Sequence, residues 1–167
     1  MRIRPEEPFD IAAVRSVNEA AFGSSLEADI VEKARTASGP LVSLVAEDNG
    51  EICGHILFTP VTLRGNHSVQ LMGLGPMAVV PARQNQGIGS QLVREGLAQC
   101  KQLGCSAVVV LGHPNYYPRF GFAPASRYGI TSEYVVPDEV FMLYEVQPGS
   151  LQGVSGRVTY SDAFAGA

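Results

Sequence analysis

The chain has 167 residues and a formal charge of -4 at pH 7, with 46% hydrophobic and 17% charged residues. That balance is typical of one folded domain and excludes a disordered chain. Because no basic cluster accompanies the net negative charge, we expect no nucleic-acid partner. No apolar run reaches the roughly 20 residues of a membrane span and no export signal begins the chain, so we expect a cytoplasmic protein without a membrane partner.

The N-terminal part predicts one short strand followed by two helices. The strand covers 2–4, the first helix covers 8–22, and the second covers 25–37 with Ser25 as its N-terminal cap. The apolar positions that we expect to face a sheet are Ile11, Val14, Val17 and Ala21 in the first helix, and Leu26, Ile30 and Ala34 in the second.

Three consecutive strands follow and predict an antiparallel meander. Strands over 41–47 and 51–63 are joined by Asp48-Asn-Gly50, whose residues suit the positive φ angles of a tight hairpin. A second turn signal at 65–67 leads into a strand over 69–80. Pro81 removes a backbone donor where this third strand should stop.

The junction after Pro81 carries the strongest functional signal. Gln84, Gly87 and Gly89 form a Gln-x-x-Gly-x-Gly motif that opens a helix over 88–103, which Gly104 terminates. The apolar positions of this helix are Ile88, Leu92, Leu97, Cys100 and Leu103. The unpaired N–H groups of a helix's first turn bind phosphate, and glycines let the anion approach closely, so we predict a pyrophosphate site formed by the amides of 84–90.

Two other kinds of phosphate-binding loop are excluded because residues that they require are missing. A nucleotide-hydrolase loop needs a lysine after its last glycine, and no lysine occurs between Lys33 and Lys101. A dinucleotide fold needs an acidic residue about 20 positions further on, where this chain has the apolar run 108–111.

The C-terminal part predicts the closing strands. The continuously apolar segment 107–111 is expected to be buried and parallel to 74–80, and further strands are predicted over 130–136, 140–146 and 154–160. We expect the tail after about residue 148 to be partly peripheral and 161–167 to be loosely held. The edges of the C-terminal strands make a homodimer an open prediction.

The metal-ligating residues form no metal motif. Cys53, Cys100 and Cys105 lack the close pairs of a zinc or redox site, so we expect reduced thiols and no metal. His55 lies two residues from Cys53, but no further ligands stand at suitable spacing.

The segment 74–122 resembles the cofactor-binding core of the GNAT superfamily of acetyl-CoA-dependent N-acetyltransferases. The resemblance rests on Gln84-Asn-Gln-Gly-Ile-Gly89 and on Tyr116-Tyr-Pro-Arg-Phe-Gly-Phe122 about thirty residues later. Similarity to the bacterial YhbS-like branch adds three segments, which are Leu74-Gly-Pro76, Gly112 to Phe122 and Pro148-Gly-Ser-Leu151.

The resemblance implies a fold and a binding site. The fold is a mixed, mostly antiparallel α/β sheet of about seven strands with helices on both faces and a splayed parallel strand pair, forming one N-acetyltransferase domain over 1–167. Acetyl-CoA is the implied co-substrate, lying in the gap between the splayed strands. The implied cofactor-binding residues are Met77, Ala78, Val79, Gln84, Asn85, Gln86, Gly87, Ile88, Gly89, Ser90, Asn115 and Tyr117.

The resemblance also implies catalytic residues and an acceptor. Tyr117 stands four residues before Gly121, which is the spacing of the family's general acid, although it also fits an aromatic plug with Tyr116 and its neighbours. His113 is a candidate base or acceptor contact, or an ordinary turn histidine. The strand over 70–80 holds no glutamate, so the base stays open.

The first two helices are implied to form the acceptor pocket, with Phe22 and Glu27 as candidates. The expected activity is acetyl transfer from acetyl-CoA to a primary amine of a small molecule or protein. One alternative is a non-catalytic acyl-CoA sensor, which would need no proton donor at Tyr117. Another is a nucleotide-binding protein, which competition between acetyl-CoA and ATP would distinguish.

Overall fold

The computed structural model describes residues 1–37, 39–65 and 69–164. Its strands are β1 Arg2–Pro5, β2 Val42–Asp48, β3 Glu51–Arg64, β4 Leu71–Val79, β5 Ala107–Leu111, β6 Ala123–Pro124, β7 Ile130–Ser132, β8 Phe141–Glu145 and β9 Gly156–Thr159. Its α-helices are α1 Ile11–Phe22, α2 Leu26–Thr36 and α3 Ile88–Gln102. Most of the turn predicted at 65–67 lies outside the described residues.

The sheet confirms the predicted mixed topology. Its main order is β1-β2-β3-β4-β5-β8-β6, in which only the β4–β5 pair is parallel. β2, β3 and β4 form the predicted antiparallel meander. Asn49 and Gly50 connect β2 to β3 with φ angles of 52° and 79°, as the tight hairpin requires. The far end of β3 also pairs with β9, which pairs with β7.

Helices cover both faces of the sheet because side chains alternate along each strand. On one face, Ile56 and Phe58 pack with the apolar side of α3. On the other face, Leu57 packs with residues of α1 and α2. Gly96 lets α3 approach closely, since a Cβ there would lie 2.1 Å from Cε1 of Phe58.

The three predicted helices are present, but three of the apolar residues expected on their buried faces are exposed. Ile11, Leu26 and Leu103 are 40%, 44% and 44% exposed, because each lies at a helix end where the apolar stripe has turned away from the sheet. Ser25 stands at the N-terminal cap of α2 without a side-chain capping bond, and Ser24 Oγ instead accepts the N–H of Leu26 at 3.4 Å. Gly104 terminates α3 at φ 81° as predicted.

The C-terminal segment corrects two expectations. The strand predicted over 130–136 covers only Ile130–Ser132, because Ser132 Oγ accepts the N–H of Tyr134 at 3.0 Å in a local turn that ends the strand. The tail was expected to be loose after residue 160, but a 3-10 helix over Asp162–Phe164 packs against α2 and buries Ala163. Residues 165–167 of that prediction lie outside the described range.

A chain of polar groups, of which Asn18 and His55 are buried, connects β3 to the N-terminal segment. Asn18 Nδ2 lies 3.3 Å from Nδ1 of the fully buried His55, whose Nε2 lies 2.9 Å from Ser43 Oγ. Ser43 donates to Glu6, which is ion-paired with Arg35. Because the Ser43 proton goes to Glu6, Nε2 of His55 is the donor to Ser43 Oγ. Burial lowers the pKa of His55 to about 4, so this ring is neutral.

Candidate active site

The parallel strands β4 and β5 separate at their C-terminal ends. Pairing between β4 and β5 stops at Leu74 opposite Val110, while β4 continues to Val79 against β3 alone. A bulge at Gly75 and Pro76, which stand together opposite Leu57, bends β4 at the same point. A cavity of about 1060 Å³ opens there, and the stretch from Leu74 to Val79 forms one wall of it.

The loop between β4 and α3 forms the next wall. Asn85 and Gly87 adopt positive φ angles of 62° and 85°, and the first helical hydrogen bond runs from the N–H of Gln91 to the carbonyl of Gly87. In the part of the chain that the structure describes, none of the N–H groups of 85–90 donates to a backbone carbonyl. This leaves a set of unpaired donors at a helix N-terminus, which is a favourable place for an anion.

Side chains hold this loop in place. Gln84 Nε2 donates to the carbonyl of Val79 at 3.0 Å, which ties the loop to the end of β4. Arg83 bonds to Asp48 at 2.8 Å and to Gln86 at 3.3 Å. The guanidinium of Arg83 holds the pKa of Asp48 below its ordinary value. The loop is therefore anchored before any ligand arrives.

Gly89 stands where the cavity is narrow. A Cβ there would lie 3.3 Å from Tyr116 Oη and 3.4 Å from Met77 Cε. Ser90 Oγ also lies 3.2 Å from Tyr116 Oη. A side chain at position 89 would occupy space beside the unpaired amides, which explains the glycine physically.

An aromatic cluster follows β5 on the opposite side of the gap. The rings of Tyr116 and Tyr117 meet edge to face at 5.1 Å, and Phe122 lies 5.6 Å from Tyr117. Gly112 makes room for Tyr117, because a Cβ there would lie 2.3 Å from its ring. Tyr117 is 8% exposed and lines the cavity, and burial raises its pKa to about 12. Its hydroxyl is therefore protonated at neutral pH and can act as a proton donor.

The third side of the cavity comes from the other face of the sheet. Phe22 and Glu27, proposed from the resemblance as acceptor contacts, both line it. Tyr134, Tyr160 and Phe164 also line it, although none of them was predicted to do so. Tyr134 belongs to the strand predicted over 130–136, and Tyr160 and Phe164 belong to the tail that was expected to be partly peripheral.

The cavity brings together most of the residues singled out from the sequence, but not all. The predicted residues that line it are Met77, Ala78, Val79, Gln84, Asn85, Gly87, Ile88, Gly89, Ser90, His113 and Tyr117. Gln86 and Asn115 do not line it, and the Gln86 side chain bonds instead to Arg83 and to the carbonyl of Ala82. Arg83, Tyr116 and Arg119 line it without having been predicted to do so.

Neither a metal centre nor a membrane span is found in the described ranges. No three His, Cys, Asp or Glu side chains there are grouped to hold a metal ion. Cys53, Cys100 and Cys105 are all buried free thiols, and burial raises the pKa of each. Among the same residues, no helix has the length and apolar character to cross a bilayer.

Known proteins resemble the chain in sequence. The model of the acetyltransferase (GNAT) family matches residues 11–122. The uncharacterized N-acetyltransferase YjhQ of Escherichia coli K12 is 43% identical over 138 residues, covering 78% of this chain and 74% of YjhQ. The uncharacterized N-acetyltransferase YhbS of the same strain is 34% identical over 165 residues, covering 98% of each.

Solved structures resemble it in fold. Escherichia coli YhbS in complex with CoA superposes with a TM-score of 0.92 at 34% identity, over 98% of this chain and 91% of YhbS. A GNAT acetyltransferase from Brucella melitensis in complex with acetyl-CoA gives a TM-score of 0.81 at 39% identity, over 98% of this chain and 97% of the Brucella chain. With its splayed β4–β5 pair, its glycine-opened helix and these relatives of nearly full length, the chain belongs to the GNAT family of acetyltransferases.

Proposed function

We propose that this protein transfers the acetyl group of acetyl-CoA to a primary amine. One observation carries the proposal: the residues with unpaired amides at 85 and 87–90 and the unpaired edge of β4 over 75–79 line the same cavity. The amides suit a pyrophosphate, and the strand edge suits an amide-containing arm. YhbS and the Brucella protein were solved with CoA and acetyl-CoA, which supports the same ligand here.

The residues of the chain fit this ligand in chemistry as well as in shape. Acetyl-CoA would supply a thioester carbonyl for attack by the amine. Backbone N–H groups on the open edge of β4 over 77–79 are our candidates to stabilise the negative charge that builds on its oxygen, since the alternate N–H groups of this strand point towards β3. Gly89 keeps the approach open, and Gln84 holds the loop against the strand.

Tyr117 is our candidate for the proton donor. When the amine nitrogen bonds to the carbonyl carbon, the carbon–sulfur bond breaks and the sulfur needs a proton. A phenol with a pKa near 12 keeps its proton at neutral pH and can deliver it, after which the proton released by the nitrogen restores it through solvent. A pure sensor has no use for such a donor, which is why we favour turnover.

The amine must be neutral to attack. With a pKa near 10.4, a lysine-like amine is neutral in about one molecule in several thousand at pH 7, which costs about 4 to 5 kcal/mol. β4 carries no carboxylate to remove this proton, so we propose that the proton leaves to water in the open cavity. The buried free thiols fit a reducing compartment, and we propose a cytoplasmic location on that ground.

The test is release of free CoA thiol from acetyl-CoA with and without a pool of primary amines. We expect release that depends on both the protein and an amine. If acetyl-CoA binds and no amine accelerates thiol release, the proposal of turnover is wrong and the sensor is favoured.

A further inference from the structure

The acceptor end of the cavity is lined by four aromatic side chains, which we call the aromatic wall. They are Phe22 at the end of α1, Tyr134 after β7, Tyr160 after β9 and Phe164 in the C-terminal 3-10 helix. Tyr134, Tyr160 and Phe164 form a run of ring contacts on the face that α1 and α2 cover, and Phe22 lines the same cavity. The α3 loop lies towards the opposite face, so this end is separate from the phosphate end.

The aromatic wall is built around Tyr160. Its ring centroid lies 5.9 Å from that of Tyr134 and 5.5 Å from that of Phe164. Gly73 makes room for it, because a Cβ on Gly73 would lie 2.9 Å from the ring. The backbone N–H of Tyr160 donates to Glu133 at 2.6 Å. These contacts fix the ring faces before a substrate binds, which lowers the entropic cost of binding.

The charges that line the cavity differ between its two ends. Arg83 and Arg119 lie at the phosphate end, where Arg83 bonds to Asp48 and Arg119 stacks 4.5 Å from the centroid of Tyr116. At the acceptor end, Glu27 in the first turn of α2 is the one carboxylate among the described lining residues. Burial raises the pKa values of Tyr134 and Tyr160, so these phenols stay neutral.

We infer that the acceptor is a cationic amine that lacks a carboxylate and binds as its ammonium ion between Glu27 and the aromatic wall. The inference rests on the proposed function and deepens it. Aromatic faces and a carboxylate both attract an ammonium ion, and together they form a site for an organic cation. A substrate carboxylate would be repelled by the negative charge of Glu27 and would lose its hydration against the aromatic side chains. The site should therefore reject free amino acids.

The experiment compares matched amines that differ only in a carboxylate. Thiol release from acetyl-CoA is measured with phenethylamine against phenylalanine, and with 1,5-diaminopentane against lysine. We expect kcat/KM at least tenfold higher for the member of each pair without the carboxylate. In Glu27→Gln, kcat/KM for the two amines should fall about tenfold, and the preference within each pair should shrink to less than threefold.

Glu32→Gln is the matched control. It removes the same charge from the same helix, but Glu32 pairs with Arg15 on the surface and does not line the cavity. Its kinetics should match those of the parent protein. Calorimetry of phenethylamine binding to the CoA-loaded protein provides a readout that does not depend on turnover.

Separate results decide the two proposals. The inference is overturned if acetyl-CoA binds but the carboxylate-bearing amines react as well as their partners, if Glu27→Gln keeps the preference, or if phenethylamine does not bind. The proposed function fails instead if acetyl-CoA itself does not bind.

Discussion

Replacing Tyr117 by phenylalanine isolates the proposed proton donor. The change removes one oxygen atom and leaves the ring in contact with Tyr116, Phe120 and Phe122, so the aromatic cluster should persist. General acid catalysis contributes about 10² to 10⁴ in rate. Because a thiol has a pKa near 8.5, it can also leave as its anion without a proton donor. The rate loss should therefore lie at the low end of this range. We expect kcat to fall about 100-fold, or about 2.7 kcal/mol.

The assay is thiol release at saturating acetyl-CoA, with Tyr116→Phe as the matched control. Tyr116 loses only its contact with Ser90 at 3.2 Å, so we expect its kcat to stay within about threefold of the parent enzyme. The KM for acetyl-CoA should change little in Tyr117→Phe, because the hydroxyl acts at the chemical step. If Tyr117→Phe keeps kcat and Tyr116→Phe loses it, the acid has been assigned to the wrong tyrosine.

Three further predictions concern binding and stability. Gly89→Ala adds a methyl group inside the cavity and should weaken acetyl-CoA binding at least tenfold by calorimetry, whereas Gly104→Ala at the other end of α3 should lower stability and leave that affinity unchanged. Gly96→Ala should destabilise by about 1 to 3 kcal/mol in urea unfolding, since the clash with Phe58 outweighs the gain in helix propensity, and an unchanged midpoint would contradict this packing. Because the pKa of His55 is lowered to about 4, its contribution to the free energy of unfolding is complete above pH 6.5, and about 3 kcal/mol is lost as the pH falls towards 4. His55→Gln should flatten this dependence of stability on pH, and an equally steep stability profile in the variant would refute the assignment.

The parts of the fold that depend on neighbouring residues were predictable from the sequence. The hairpin at Asn49 and Gly50, the helix opened by Gly87 and Gly89 and its end at Gly104 all follow from local backbone preferences. The parallel position of β5 also followed, because its continuous apolar run needs burial on both faces. These features include most of the phosphate end of the site.

The acceptor end depends on contacts between distant segments and was largely not predictable. Tyr160 lines the cavity because β9 pairs with the far end of β3, nearly one hundred residues earlier in the chain. No local pattern indicates that pairing, so the segment appeared peripheral. Leu26 and Leu103 fit a helical period but stand at helix ends, where periodicity does not say how far the covering sheet extends.

The central claim is that the cavity between β4, β5 and the start of α3 binds acetyl-CoA, and the thermal midpoint of unfolding tests it most directly. Acetyl-CoA at 100 times its dissociation constant should add about 2.7 kcal/mol and raise the midpoint by several degrees, with ATP giving little shift. An equal shift with ATP, or no shift with acetyl-CoA, would contradict the claim.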